Sequence, residues 1–216
     1  MTEEERARRD RFVFEKNRVE FLATRALART VLAAYTGLAR DAVRFSIDAY
    51  GKPALDPALP GLSFNLSNAL TLVVCAVADA PTVGVDVEPL ARADQVFRVA
   101  SDVFTATERA ELASLDAASA NRRAVELWTL KEAYMKARGL GMSLPPSSFA
   151  MAGLALASEP PPPDEPDRSR WTFTSLEVEA HAVAICVEAR LPEASRHVEI
   201  EHVDVTASMR ARSAPT

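Results

Sequence analysis

The chain has 216 residues, of which 48% are hydrophobic and 25% charged, the mixture of a globular protein with ample length to bury a core. That excludes a small disulfide scaffold, a fibrous chain and a disordered one. Against 30 acidic side chains stand 25 basic ones, a net charge of −5, so the overall field does not attract nucleic acid and any anionic ligand has to be met locally. The chain opens on Glu3-Glu4-Glu5-Arg6 with no apolar leader segment, and its longest apolar stretch, around Leu72 to Ala78, is far too short to span a bilayer. From Phe12 to about Tyr35 there is no proline or glycine. Apolar positions there recur at helical spacing (Leu22, Ala26 and Ala33; Leu27, Val31 and Ala34) before Gly37, which predicts a long helix. Residues 51–61 carry Gly51, Pro53, Pro57, Pro60 and Gly61 and read as an irregular connection, whereas Phe64 to Ala78 reads as one or two strands. Val83 to Glu88 is a further strand between Pro81 and Pro89.

The second half repeats this plan. Thr105-Ala106-Thr107-Glu108 has capping-box spacing, and residues 120–138 predict a second helix closed by Gly139 and Gly141. Pro160 to Pro163 with Pro166 reads as a solvated loop, followed by strands over Trp171 to Ser175 and Ala182 to Ala189. Helix followed by strands thus recurs at an offset of about a hundred residues, which points to an α+β fold of two related halves. Cys75 and Cys186 sit in apolar alternating runs and read as small buried hydrophobes in a reduced, cytoplasmic compartment.

Three segments could carry chemistry. In Val83-Gly84-Val85-Asp86-Val87-Glu88, strand alternation puts the valines on one face and Gly84, Asp86 and Glu88 on the other. The two carboxylates then stand about 7 Å apart along the strand. Their repulsion would be relieved by a hard dication, with Gly84 leaving the space beside them open; the alternative is an edge strand with its polar face in water. In the segment from Trp128 to Gly141, Trp128, Glu132 and Lys136 fall on one helical stripe; a surface salt bridge between the last two is the competing explanation. Tyr50-Gly51-Lys52-Pro53 holds a lysine on a fixed backbone, and Phe64-Asn65-Leu66-Ser67-Asn68 ends a strand in small hydrogen-bond donors, both suited to phosphate oxygens and both equally ordinary in turns.

The first fifty residues hold ten basic and eight acidic side chains, and Arg8, Arg18, Arg25 and Arg29 are candidates for phosphate contact or plain solvated arginines. His181, His197 and His202 lack zinc-ligand spacing, and neither a Gly-x-Ser-x-Gly elbow nor a Walker-type loop occurs.

In order, Gly51-Lys52-Pro53, Phe64-Asn65-Leu66-Ser67, Gly84-Val85-Asp86-Val87-Glu88 and Trp128-x-x-Lys131-Glu132-Ala133-x-x-Lys136-x-x-Gly139-x-Gly141 resemble the 4'-phosphopantetheinyl transferases. The likeness is to the larger, surfactin-synthetase-activating type, a pseudo-dimer within one chain, and it covers roughly residues 8–190. It implies an N-terminal half over 1–82, a C-terminal half over 83–216 and an active site between them. The implied reaction moves the phosphopantetheine arm of coenzyme A onto a serine of an acyl or peptidyl carrier protein and releases 3',5'-ADP. The carriers would be those of fatty-acid, polyketide or nonribosomal-peptide synthesis.

Carried over by residue, the resemblance makes Asp86, Glu88 and Glu132 ligands of Mg²⁺. It makes Glu132 the base for the carrier serine and Lys136 the stabiliser of the leaving phosphate. Gly51, Lys52 and Pro53 fall at the adenine and ribose of coenzyme A, and Arg8, Arg25, Ser67 and Asn68 near its phosphates, with Arg25 the stronger of the two arginines. The nucleophile belongs to the partner, and two halves in one chain imply a monomer, with neither nucleic acid nor membrane as partner.

Three features depart from the family. Asn68 and Ala69 stand where it commonly has His-Ser, its usual strand ahead of the first helix has almost no room before Phe12, and the proline loop has no family role. A non-catalytic member that binds coenzyme A or a carrier, and another Mg²⁺ phosphotransferase with a nucleotide substrate, are the competing expectations.

Overall fold

A computed structural model describes residues 1–49, 51–69, 71–157, 162, 164–165, 167–188, 199, 201 and 203. The family's usual leading strand, for which the sequence left almost no room before Phe12, is replaced there by a short helix, α1 (Glu3–Asp10). Thr2 and Glu5 make it, each accepting the other's backbone N–H in a capping box, with Glu3, Glu4 and Glu5 in the first turn and Arg8 and Arg9 in the last. The long helix α2 (Glu15–Thr36) follows and stops at Gly37, whose φ of 70° is left-handed. It begins later than the expected Phe12, because the backbone is still extended at Phe14; Phe12 meets the Phe21 ring at a tilt, 5.6 Å between centroids.

Two short strands, β1 (Phe45–Ile47) and β2 (Pro53–Leu55), pair antiparallel, so part of the expected irregular connection is a hairpin. Strands β3 (Leu62–Ala69) and β4 (Leu72–Asp79) form a second hairpin, and β5 (Val83–Pro89) follows. After a 3-10 turn come α3 (Ala93–Arg98), α4 (Ala100–Val103) and α5 (Ala106–Ala113), the last opened by the Thr105–Glu108 capping box.

Helix α6 (Ala117–Arg138) begins ahead of the expected residue 120, because the Asp116 carboxylate accepts from Ala118 N and Ser119 N. Small strands β6 (Met151–Ala152) and β7 (Ala155–Leu156) lead to β8 (Trp171–Val178) and β9 (His181–Glu188). The C-terminal sheet runs β5-β9-β8, all antiparallel.

Helix and hairpin recur as the sequence suggested: α2 and α6 are each 22 residues long, and each precedes a hairpin of two 8-residue strands. Each set has its own core. Leu32, Val43, Leu55 and Phe64 close the first. The second surrounds α6, where Tyr134 meets Phe149 and Trp171 edge-on, both at 5.1 Å. Fully buried side chains such as Leu127, Leu130 and Phe149 each contribute about 2 kcal/mol there. Between the sets, Ala69 of β3, Val85 and Val87 of β5, and Val183 of β9 pack as a third cluster.

Two expectations are corrected. The proline stretch is not simply solvated: Pro162 and Glu165 are buried, and Trp171 Nε1 donates to Glu165 Oε2 at 2.6 Å. Pro160, Pro161, Pro163, Pro166, Ala189, His197 and His202 lie outside the described residues. Nor does β5 show a polar face to water. It is an edge of its sheet, yet every residue from Val83 to Pro89 is buried.

Candidate active site

The burial of β5 follows from α6. A Cβ on Gly84 would fall onto the backbone of Ala133 and Ala137. Gly84 therefore does not leave an open space beside the acids, as the sequence reading had it; it lets helix and strand meet backbone to backbone. The valine face of β5 goes to the apolar cluster, and the other face, with Asp86 and Glu88, lies under α6 and beside β3. Asn65 of β3 accepts from Val85 N at 2.9 Å and ties the two strands together.

On this face the three candidate segments converge. Ser67 donates to Asp86 Oδ1 at 2.9 Å, and Lys136 Nζ donates to Asp86 Oδ1 at 2.6 Å and to Ser67 Oγ at 3.0 Å. Trp128 Nε1 donates to Glu88 Oε1 at 3.2 Å, and Arg92 holds both Glu88 oxygens. The stripe Trp128, Glu132 and Lys136 thus faces β5, and Lys136 pairs with Asp86. Glu132, half-buried one turn earlier, carries a carboxyl held above its ordinary value, first by burial and then by the Asp86 carboxylate; Lys136 opposes this and Glu88 adds to it. Asp86 Oδ2 is buried without a hydrogen-bond partner. Three carboxylates stand here against two cations, Lys136 and Arg92, so with all three ionised one negative charge is in excess. As they stand, no three acid, imidazole or thiol groups among the described residues converge on one point.

The other predicted residues lie apart from this cluster or have found other partners. Asn68, next to Ser67, is exposed. Lys52 turns its ammonium to four protein oxygens, at Thr82, Val83, Lys136 and Ala137. Burial pulls its pKa below the ordinary lysine value, against the opposing charge of Asp48. Lys52 and Pro53 line a cavity of about 250 Å³ with Asp48, Leu55, Leu62 and Thr82, and the carboxylates of β5 and α6 are not in its wall. Gly51 is exposed in the turn before β2 with φ 88°.

Arg8 and Arg25 approach the ring of Phe21, at 5.7 and 5.3 Å. Arg25 and Arg29 close on Glu5, Arg29 through both carboxylate oxygens at 3.0 and 2.9 Å. Arg29 Nη1 and Arg25 Nε are buried without hydrogen-bond partners. Burial lowers the Arg25 pKa, Glu5 opposes this, and Arg8 and Arg29 add to it.

Sequence reasoning missed Glu5, Arg92 and Thr82. Thr2-x-x-Glu5 has capping-box spacing that went unread, and nothing local told of Arg29. It also gave no role to Lys131, which is fully buried, donates to the carbonyls of Pro146 and Phe149, and pairs with Glu108 at 2.9 Å. Both cysteines are free. Burial pushes the Cys75 thiol up to about 12 and Cys186 well above its ordinary value, so neither is a ready nucleophile. Among the described residues, no helix is long and apolar enough to cross a membrane.

A buried strand acid is thus bonded to a serine and to a helix lysine, with a second acid, Glu132, on the helix one turn from that lysine. Residues 82–186 match the model of the 4'-phosphopantetheinyl transferase superfamily, and residues 1–80 match that of the 4'-phosphopantetheinyl transferase N-terminal region. The chain belongs to this family and, within it, to the type represented by Sfp.

It is 33% identical over 197 residues to the 4'-phosphopantetheinyl transferase psf-1 of Bacillus pumilus, covering 91% of this chain and 82% of that one. To the 4'-phosphopantetheinyl transferase HetI of Nostoc sp. it is 35% identical over 145 residues, 66% of this chain and 61% of HetI. To Sfp of Bacillus subtilis strain 168 it is 32% identical over 148 residues, 68% of this chain and 64% of Sfp. The chain thus spans less than two thirds of the length of HetI and of Sfp.

Proposed function

We propose that the chain transfers the 4'-phosphopantetheine arm of coenzyme A to a serine hydroxyl of an acyl or peptidyl carrier protein and releases 3',5'-ADP. The observation that carries this reading is the junction of Ser67, Asp86 and Lys136 beside Glu132, in a chain whose relatives bear the name of that transferase. The carrier's serine oxygen forms a bond to the pantetheine-side phosphorus, and the phosphoanhydride bond to 3',5'-ADP breaks. Glu132, whose carboxyl is held above its ordinary value by burial, takes the serine proton directly or through water. Lys136 carries positive charge to the leaving phosphate.

The residues fit a magnesium ion: the donors are hard oxygens, Asp86 Oδ2 lacks a partner, and negative charge is in excess. Asp86, Glu88 and Glu132 would hold it together with pyrophosphate oxygens, and it would neutralise charge that develops as the phosphoanhydride breaks. Ser67 and Asn68 would meet the pyrophosphate, Arg8 and Arg25 the more distant phosphate, and Gly51 and Pro53 the adenine and ribose. The matches over 1–80 and 82–186 abut near residue 82, where this reading divides the chain into its two halves; the reading further takes the chain as a pseudo-dimeric, cytoplasmic monomer.

Intact-mass spectrometry of an apo carrier protein incubated with the chain, coenzyme A and Mg²⁺ tests the reading. A gain of the phosphopantetheine mass together with 3',5'-ADP supports transfer. Binding of coenzyme A without any mass gain across carriers of all three pathways would make the chain a non-catalytic member.

A further inference from the structure

The resemblance assigns Lys52 to coenzyme A, but the structure gives its ammonium different work. Lys52 Nζ donates to Lys136 O at 2.8 Å, Ala137 O at 3.3 Å, Val83 O at 3.2 Å and Thr82 Oγ1 at 2.8 Å. An ammonium has three N–H groups, so these four acceptors use its donor capacity in full. Two of them are carbonyls of the last turn of α6, at the negative end of the helix dipole, and Lys136 O also accepts from Gly139 N at 3.2 Å. Thr82 closes the same junction by donating to Ala137 O at 2.8 Å. Immediately beside it, Gly84 brings β5 against the backbone of Ala133 and Ala137.

The turn held in this way carries Lys136, whose carbonyl lies under Lys52 while its side chain reaches Ser67 and Asp86. We propose that Lys52 is a positioning residue for transfer: by clamping the end of α6 to β5 it sets where the Lys136 ammonium stands, and it does not itself bind coenzyme A. This rests on the transferase reading above.

The test uses Lys52→Met, with Thr82→Val as a milder second variant, in three measurements: coenzyme A affinity by calorimetry with Mg²⁺, kcat and KM for an apo carrier, and hydrogen exchange of the unliganded chain. Displacing a catalytic group by about an ångström costs up to about 100-fold. The expected result for Lys52→Met is therefore a kcat lower by about 10- to 100-fold, with coenzyme A affinity within about twofold of wild type. Thr82→Val should show the same split, smaller, and carries the test if Lys52→Met does not fold.

Exchange should quicken about tenfold at residues 134–140 in Lys52→Met and stay unchanged at residues 117–124, as expected for losing charge-assisted bonds at one end of the helix. A tenfold loss of coenzyme A affinity with kcat unchanged at saturation would overturn the inference and leave the transferase reading standing. Unchanged exchange at the end of α6 would overturn it whatever the activity, and a wild type that transfers nothing would sink the functional reading on separate evidence.

Discussion

Two regions of the molecule gather like charges, and they gather opposite signs. Against β5, Asp86, Glu88 and Glu132 meet Lys136 and Arg92, with one negative charge in excess. Between α1 and α2, Arg25 and Arg29 meet the carboxylate of Glu5 while Arg8 stands close enough to act on Arg25, three cations about one anion among the described residues. Each region also leaves buried polar atoms without hydrogen bonds, an oxygen in the first (Asp86 Oδ2) and two guanidinium nitrogens in the second (Arg25 Nε, Arg29 Nη1).

Unsatisfied buried groups of this kind cost about 1–3 kcal/mol each, and they persist where a ligand supplies the missing partner. The two regions thus differ in the sign of the partner each lacks: under the proposed function the acid region would take a cation and a proton, and the arginine region an anion.

The largest expected effect lies in the acid region. Gly84→Ala puts a methyl group where α6 already stands, so helix and strand must separate. The expected cost is about 3 kcal/mol, an overpacking penalty, read as a drop in Tm with transfer lost even below the transition. An unchanged Tm would mean that helix and strand are not in contact there.

Lys136→Met takes the cation from buried Asp86. Turnover should fall by about 100- to 1,000-fold, with a smaller change in coenzyme A affinity; the reverse order would move Lys136 from chemistry to binding. Glu5→Gln removes the anionic partner that Arg29 has among the described residues, and stability should fall by about 1–2 kcal/mol at neutral pH. Burial raises the Glu5 pKa, but the Thr2 backbone N–H and the charges of Arg29 and Arg25 outweigh it, leaving the carboxyl below its ordinary value. Its contribution is therefore complete above the ordinary carboxylate range and is lost as pH falls through the lowered value. The Tm gap between wild type and Glu5→Gln should close only in that acid window.

Glu132 has the opposite sign and the smallest effect on stability. Its carboxyl is held above the ordinary value, so ionising it disfavours the fold as pH rises past that value. Glu132→Gln should raise Tm slightly at pH 8, and the gain should vanish at pH 4, where the wild-type side chain is already protonated. A gain that grows toward acid pH would refute the assigned environment.

Much of this was legible in the sequence because the signals are local. The stretch before Gly37, the Thr105–Glu108 box and the valine alternation of β5 each depend on residues within a turn or a strand. The stripe Trp128, Glu132 and Lys136 was legible for the same reason, although its choice between solvent and β5 was not. What escaped depends on partners distant in sequence. Lys52 is bonded to the carbonyls of Lys136 and Ala137, 84 and 85 positions away. Glu5 meets Arg29 24 positions away, and the reason for Gly84 lies on a helix some fifty residues later. A glycine in a strand signals close approach, but only the fold tells whether a ligand or a helix comes close.

Whether Glu132 beside Ser67, Asp86 and Lys136 performs a phosphopantetheinyl transfer is decided by intact-mass spectrometry of one apo carrier protein, run in parallel with wild-type chain and with Glu132→Gln, coenzyme A and Mg²⁺ being present in both. The expected result is the phosphopantetheine mass gain with wild type and none within the same time with the folded variant. Equal gains from both would contradict it.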